Sequence, residues 1–198
     1  MSGAFRFRLA GAATALSMLL AMPASHAASA VPSASLDSRA LLDKIVQCRA
    51  SYDELAEFND RVDQHRVKLR EAKAQDLAPG PAWTVTPPLT TLGVKSSTVV
   101  LNSRSTVLLI VPSAHPYNDV LALVPGNGME VELKMGTDAI VRKDIDDRAL
   151  RAFTVDTTHY AAGCVYDERK MLLARAARYN ASPERQAEKK ALERALDQ

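Results

Sequence analysis

The chain has 198 residues with 25 basic and 23 acidic side chains, which gives a formal net charge of +2. Arg6 and Arg8 are the only charged residues before position 28, so the rest of the chain is electrically balanced. A balanced chain lacks the positive surplus that nucleic acids and acidic membrane surfaces require of a partner. We therefore expect no nucleic-acid partner.

Residues 1–27 have the pattern of an export signal. Arg6 and Arg8 precede an apolar run over residues 9–22, and Ser25 and Ala27 form the small-x-small pattern that signal peptidase reads. The run has about fourteen residues, which is fewer than the ~20 that a membrane-spanning helix needs. The sequence therefore predicts cleavage near Ala27 and a mature chain in the periplasm, or secreted, with no transmembrane segment.

The chain contains two cysteines, Cys48 and Cys164. In an exported protein two cysteines form a disulfide more often than a thiol site, and no C-x-x-C spacing is present here. In the chain-entropy model, closing a loop of this length stabilises the fold by ~4–5 kcal/mol. We predict a Cys48–Cys164 disulfide, with a reactive cysteine as the alternative.

Residues 28–35 are small and polar, and we expect them to be flexible; Asp37 or Ser38 then offers a helix N-cap. Apolar residues then recur every three or four positions, as one face of an amphipathic helix requires. The pattern predicts a single long helix to about Asp76, which the Pro79-Gly80-Pro81 sequence ends. The apolar stripe consists of Leu41, Ile45, Cys48, Tyr52, Leu55, Val62 and Leu69.

The predicted helix is too long for the domain that must carry it. About forty residues span ~60 Å in a helix, whereas a domain of this size is only ~40 Å across. We therefore expect the helix to bend, to break near Asn59 or to project beyond the core. A projecting end with charges of both signs would place Val62, Arg66 and Leu69 on a contact surface for a second copy or another protein, and a simply solvated helix is the alternative.

The middle of the chain has the patterns of strands. Residues 98–101 and 106–111 are β-branched runs around a polar turn, which predicts a hairpin. Residues 129–135 alternate, which places their four apolar side chains on one face. A strand over 83–86 should stop at Pro87 and Pro88. Further strands are predicted over 139–142, 149–157 and 161–166, and a short helix over 117–124.

From residue 167 the pattern is helical again, with Ser182 as an N-cap and Pro183 at the first position of a last segment. That segment has only Leu192 and Leu196 as large apolar residues, so we expect it to bury little surface. The predicted fold is α+β: a long N-terminal amphipathic helix packed on a mainly antiparallel sheet of about five to seven strands, a short inserted helix and a C-terminal helix. We predict one domain over 36–181 and a charged helical tail over 182–198.

Three residues of one short segment, Ser113, His115 and Asp119, have the side-chain types of a nucleophile, a base and an orienting acid. No G-x-S-x-G motif surrounds them, so a polar loop before the inserted helix explains them as well. His159 falls in a predicted turn between strands. No two histidines have the i, i+4 spacing of a helical metal site and no cofactor motif is present, so we expect neither a metal nor a cofactor.

Paired cysteines and scattered histidines leave few groups for catalysis. We therefore expect an exported, non-catalytic protein that binds another protein or a component of the cell envelope. The alternative is a small secreted hydrolase that uses Ser113 with His115, or a pair of carboxylates. A pocket that joins a histidine to a carboxylate with a shifted pKa would favour the hydrolase, and an exposed apolar patch would favour the binding protein.

Overall fold

Helices precede, interrupt and follow a set of strands, as the α+β prediction requires. The computed structural model describes residues 37–74 and 76–196, so the signal peptide predicted over 1–27 and the flexible stretch predicted over 28–35 lie outside the described residues. The elements are α1 (Ser38–Val46), α2 (Tyr52–Asp63), β1 (Arg70–Glu71), β2 (Ala82–Thr91), β3 (Val94–Ser103), β4 (Thr106–Pro112), α3 (Pro116–Asn127), β5 (Glu130–Met135), β6 (Asp138–Ile145), β7 (Arg148–Thr154), β8 (His159–Tyr166), α4 (Glu168–Ala181) and α5 (Pro183–Leu196).

The strands form one antiparallel sheet in the order β1-β2-β3-β4-β8-β7-β6-β5. Two runs of sequential hairpins, β2 to β4 and β5 to β8, are joined where β4 pairs with β8, as in the Leu109–Ala162 pair. Helix α3 makes the crossover between the two runs and lies against β6, β7 and β8. The antiparallel sheet is confirmed, but it has eight strands in the described residues, more than the predicted five to seven.

One face of the sheet carries the main core. Alternate residues of β2, β3, β4, β7 and β8 pack there against α1, α2 and α3, with Leu41, Leu55 and Phe58 wholly buried. The Phe58 and Trp83 rings meet edge to face, with their centroids 5.4 Å apart. On the opposite face a smaller cluster forms where Ala74 and Ala78, in the segment before β2, cover part of β3, β4 and β8. The helices thus leave most of that second face open.

The prediction of one long N-terminal helix is wrong: the chain breaks between Val46 and Tyr52 and not near Asn59. Cys48 adopts a left-handed backbone conformation with φ 56°, which a continuing helix cannot include. Ser51 then starts α2 with a complete capping box, since its hydroxyl accepts the Glu54 N–H and the Glu54 carboxylate accepts the Ser51 N–H. Both helices face the same core, so the apolar spacing continues across the break.

Asn59 lies inside α2 and is fully buried. Its amide donates to the Leu55 carbonyl at 3.0 Å and to the Arg104 carbonyl at 2.9 Å, which fastens the β3–β4 turn to the helix. The helix ends at Asp63, and His65 has a φ of 53° just beyond it. The predicted projecting end is therefore wrong, because the chain turns back toward the sheet and forms β1.

Two strands differ from their sequence patterns. Strand β2 continues through Pro87 and Pro88, with a shift of register between Thr84 and Leu89 that accommodates the prolines. In β5 a register shift lies between Val131 and Leu133. A single extra residue moves the following side chains to the other face, so the four apolar residues of 129–135 do not share one face.

The structure contains the Cys48–Cys164 disulfide, with 5.2 Å between the two Cα atoms. It joins the α1–α2 connection to β8, and three side chains support the same connection. The Arg148 guanidinium donates to the carbonyls of Cys48 and Ala50, each at 3.0 Å. The Tyr166 hydroxyl donates to the Ile45 carbonyl at 3.2 Å, and the Thr91 hydroxyl donates to the Val46 carbonyl at 2.9 Å. The bonds from Tyr166 and Thr91 reach carbonyls in the last turn of α1, which accept no bond within the helix, and those from Arg148 reach carbonyls of the connection itself.

Candidate functional site

Ser113 and Asp119, two of the three catalytic candidates, meet at the start of α3. The Ser113 hydroxyl donates to the Asp119 carboxylate at 2.5 Å and accepts the backbone N–H of His115 at 2.8 Å. His115 thus reaches Ser113 through its backbone, and no imidazole stands between the hydroxyl and the carboxylate in these contacts. A nucleophile needs a base to remove its proton. The arrangement is that of a hydrogen-bonded turn that begins a helix.

His159 occupies a more ordered setting, at the β7–β8 turn. Its Nδ1 lies 2.9 Å from the Thr158 hydroxyl and 3.3 Å from each Asp156 carboxylate oxygen. The Thr158 hydroxyl donates to Asp156 at 2.9 Å. In the tautomer with its proton on Nδ1, the imidazole donates toward these oxygens and Nε2 is the acceptor.

Asp156 is held ionised beside this histidine. The backbone N–H of Thr158 donates to its carboxylate at 2.6 Å, and this bond, with those from the Thr158 hydroxyl and His159, holds the pKa of Asp156 below its ordinary value. An ionised carboxylate orients an imidazole but does not itself supply a proton. His159 lies at the turn where its sequence context predicts it, and the Asp-x-Thr-His order, typical of a side chain that folds back onto its own turn, is the signal that indicates Asp156.

His159 also lines a pocket of about 430 Å³ on the open face of the sheet. Arg70, Thr84, Thr98 and Ile110 are neighbours across β1 to β4, so their side chains share this face. We call this site the open-face pocket; its lining includes Arg70, Lys73, Thr84, Thr98, Ile110 and His159. The sequence does not indicate this pocket, because the apolar pattern predicts a helix through Arg70 and not a strand.

A larger depression, of about 1010 Å³, lies between α2 and the C-terminal helices. Along one side, Arg175 donates to Asp63 at 2.6 Å, and Arg175 and Arg178 both donate to Asp60. Partial burial opposes ionisation of Asp63, but the hydrogen bonds from Arg104 and Arg175 outweigh it and keep the pKa of that carboxyl below its ordinary value. We call this depression the α2–α4 groove; its lining also includes Arg66, Leu172, Ala176, Tyr179 and Glu184.

Exposed apolar side chains are concentrated on α4 and α5. Among the described residues seven large apolar side chains are exposed, and five of them belong to these two helices. Leu172 and Tyr179, which line the α2–α4 groove, are 51% and 58% exposed. Helix α4 buries only Met171, and α5 buries no residue. The others are Leu173, Leu192 and Leu196 on the helices and Val131 and Met135 on β5.

The structure places the three predicted contact residues in two different environments. Val62 and Leu69 are partly buried and pack against the main core, so neither lies on a projecting helix. Arg66 is exposed and lines the α2–α4 groove. A partner surface in this region would therefore involve α4, whose Leu172, Ala176 and Tyr179 recur at helical spacing in the sequence.

Within residues 37–74 and 76–196, no group of three or more His, Cys, Asp or Glu side chains is placed to hold a metal ion. In the same part of the chain, no helix combines the length and the apolar character needed to cross a membrane. No protein-family model matches this chain, and no match is found among curated proteins or solved structures. The function is therefore inferred from the geometry of this chain alone.

Proposed function

We propose that this protein is an exported, non-catalytic binding protein that holds a helical segment of a partner protein in the α2–α4 groove. The observation that carries the proposal is the exposure of Leu172 and Tyr179 along a groove that is otherwise fixed by ion pairs. Large exposed apolar groups beside a concave surface are typical of a protein-binding site. The disulfide in the structure is compatible with an oxidising compartment outside the cytoplasm.

The charge of the groove indicates what kind of partner fits. Asp60, Asp63 and Glu184 are balanced by Arg66, Arg175 and Arg178. A neutral groove offers no general attraction for nucleic acid or for an acidic membrane. Its apolar strip, Leu172, Ala176 and Tyr179, follows one helix face, which suits an amphipathic partner helix laid alongside α4.

The rigidity of the walls supports binding, because a preformed groove loses little conformational entropy when a partner docks. Helix α2 is packed on the main core and α4 is held to it by Arg175 and Arg178. Burial of Leu172 would contribute about 1.5–3 kcal/mol, which is too little for stable association unless Tyr179 and polar contacts join it. We therefore expect a partner that binds reversibly, with a dissociation constant in the micromolar range, and not a permanent subunit.

A photo-crosslinking residue at Ala176 tests the proposal in cells that express the full chain. We expect a discrete crosslinked species that is lost when Leu172→Ser and Tyr179→Ser are introduced together. The matched control is Val131→Ser with Met135→Ser, which removes two equally exposed apolar side chains from β5 and should leave the species unchanged. A species that survives the groove variant, or that disappears equally in the β5 variant, would show that the groove is not the binding site.

A hydrolase is the second candidate, and the contact between His159 and Asp156 beside the open-face pocket is the observation that favours it. An oriented imidazole with a free Nε2 could serve as a general base. If so, His159→Gln should lower hydrolysis of a p-nitrophenyl ester by about 100-fold or more, and Ser113→Ala should have no effect. If the protein only binds, the wild-type rate should equal that of His159→Gln.

A further inference from the structure

We infer that the open-face pocket binds a small organic carboxylate, with the acid group on Arg70 and its apolar body on the sheet. This inference is independent of the α2–α4 groove, which lies against the helices on the other side of the molecule's core. The pocket, of about 430 Å³, is within the size range of small-molecule sites. Its occupant is indicated by three features: unpaired cations, hydroxyl groups on the floor and a small apolar wall.

The cations come from the segment that begins with β1. Arg70 belongs to β1, where its backbone pairs with Thr84, and Lys73 follows just beyond. Neither takes part in an ion pair of the described residues, whereas most other arginines near the core do. A guanidinium offers two parallel N–H donors that match the two oxygens of a carboxylate. An unpaired arginine at a pocket wall is therefore suited to an acid.

The floor supplies both polar and apolar contacts. Thr84 and Thr98 are consecutive cross-strand neighbours of Arg70, and their hydroxyls can donate to an oxygen bound there. The next neighbour in the same row is Ile110, which lines the pocket but is only 2% exposed because the segment before β2 covers most of it. Leu77 and Pro112 add further apolar surface around it. The polarity therefore changes along the row, from a charged end at Arg70 to an apolar end at Ile110.

Two carboxylates lie close to the pocket and affect its net charge. Glu71 lines it together with Lys73 and offsets that charge, which leaves Arg70, on the same face as Thr84, as the cation in excess. Asp156 is occupied by Thr158 and by Nδ1 of His159. His159 lines the pocket as well. The available donors thus outnumber the available acceptors.

Titration calorimetry of the full-length protein with hexanoate, hexanol and inorganic phosphate tests the inference. We expect hexanoate to bind with one site per chain. Hexanol, which lacks the carboxylate, and phosphate, which lacks the apolar chain, should each bind at least about tenfold more weakly. Arg70→Gln should weaken hexanoate binding by about tenfold or more. Arg169→Gln, which changes an exposed arginine of α4, is the matched control and should bind hexanoate as the wild type does.

Each other result overturns the inference. Hexanoate that does not bind, or that binds Arg70→Gln as tightly as Arg169→Gln, would show that Arg70 is not a ligand-binding residue. Equal binding of hexanol would show a merely apolar cleft, and equal binding of phosphate would show a site for inorganic oxyanions. Arg70 is exposed, so its substitution should leave the fold intact, and equal melting temperatures of the two variants would verify this. None of these outcomes depends on a partner in the α2–α4 groove, so the two proposals fail separately.

Discussion

At the scale of single residues, Arg148 joins parts of the chain that are distant in sequence. It lies at the start of β7, yet its guanidinium reaches the carbonyls of Cys48 and Ala50 and lies 6.0 Å from the centroid of the Tyr166 ring. Hydrogen bonds from a charged donor and a cation–π contact act together here. They hold the connection between α1 and α2 against the sheet.

We predict that Arg148→Met lowers the free energy of unfolding by about 2–3 kcal/mol, because two carbonyls of the α1–α2 connection lose a charged donor. Urea denaturation measures this loss. Arg142→Met is the matched control, since Arg142 makes only an exposed ion pair with Asp144 at 2.7 Å and should cost at most ~1 kcal/mol. Equal losses in the two variants would show that the contacts with Cys48 and Ala50 contribute little.

Asp63 should make the attachment of α4 depend on pH. Because its folded-state pKa is lowered, the ionised form stabilises the fold above the unfolded pKa, and this stability is lost as the pH falls through the folded pKa. We predict that Asp63→Asn is less stable than the wild type at pH 7, by at most ~1 kcal/mol, and that the difference disappears on acidification. The measurement is chemical denaturation between neutral pH and about pH 3. Asp138→Asn, which changes an exposed carboxylate that forms no ion pair among the described residues, is the control and should show no such convergence.

At the scale of elements, the helices and strands that depend on residues close together in the chain were predicted from the sequence. The β3–β4 hairpin, helix α3 and the start of α5 at Pro183 follow from alternation, turn residues and caps within a few positions. The break between α1 and α2 also had a local signal, the Ser51–Glu54 capping box, but the apolar stripe continued across it and favoured one helix. Both helices present their apolar faces to one sheet, which keeps the stripes in phase.

Other elements depend on partners distant in sequence. Strand β1 has two residues and exists because Arg70 and Glu71 pair with Thr84 and Trp83. The bulge in β5 is defined against β6, and no residue type in β5 indicates it. The open-face pocket could not be predicted for the same reason, since Arg70 and His159 come together only when β1 and β8 are placed in the sheet. The Asp156–His159 contact, by contrast, lies within four residues and could have been predicted.

The two serine N-caps allow a test of how far each helix belongs to the cooperative core. We predict that Ser51→Ala lowers the free energy of unfolding by about 1 kcal/mol, because α2 is packed on the core and loses its capping box. Ser182→Ala removes the corresponding cap of α5, where the hydroxyl accepts the Arg185 N–H at 3.3 Å. Helix α5 buries no residue, so this loss should fray α5 without moving the global transition. A similar shift in both variants would show that α5 folds as part of the core.

At the scale of the whole molecule, one covalent bond links the beginning of the helical layer to the last strand. The disulfide spans 116 positions, and Cys164 lies in β8, where the two runs of strands meet. In the chain-entropy model a cross-link over this distance stabilises the fold by ~4–5 kcal/mol, because the unfolded chain loses freedom. The buried sulfur atoms add packing, since Cys48 and Cys164 are 3% and 0% exposed.

These two contributions can be separated by comparing three forms of the protein in urea. We predict that the oxidised wild type is the most stable, the reduced wild type is intermediate, and Cys48→Ala with Cys164→Ala is the least stable. Reduction removes only the cross-link, whereas the double substitution also leaves a cavity where the sulfur atoms packed. The oxidised form should also have the smallest dependence of unfolding free energy on urea, because its cross-linked unfolded state exposes less surface. Coincident transitions for oxidised and reduced protein, or two reactive thiols per chain in the denatured, unreduced protein, would contradict the cross-link as the source of this stability.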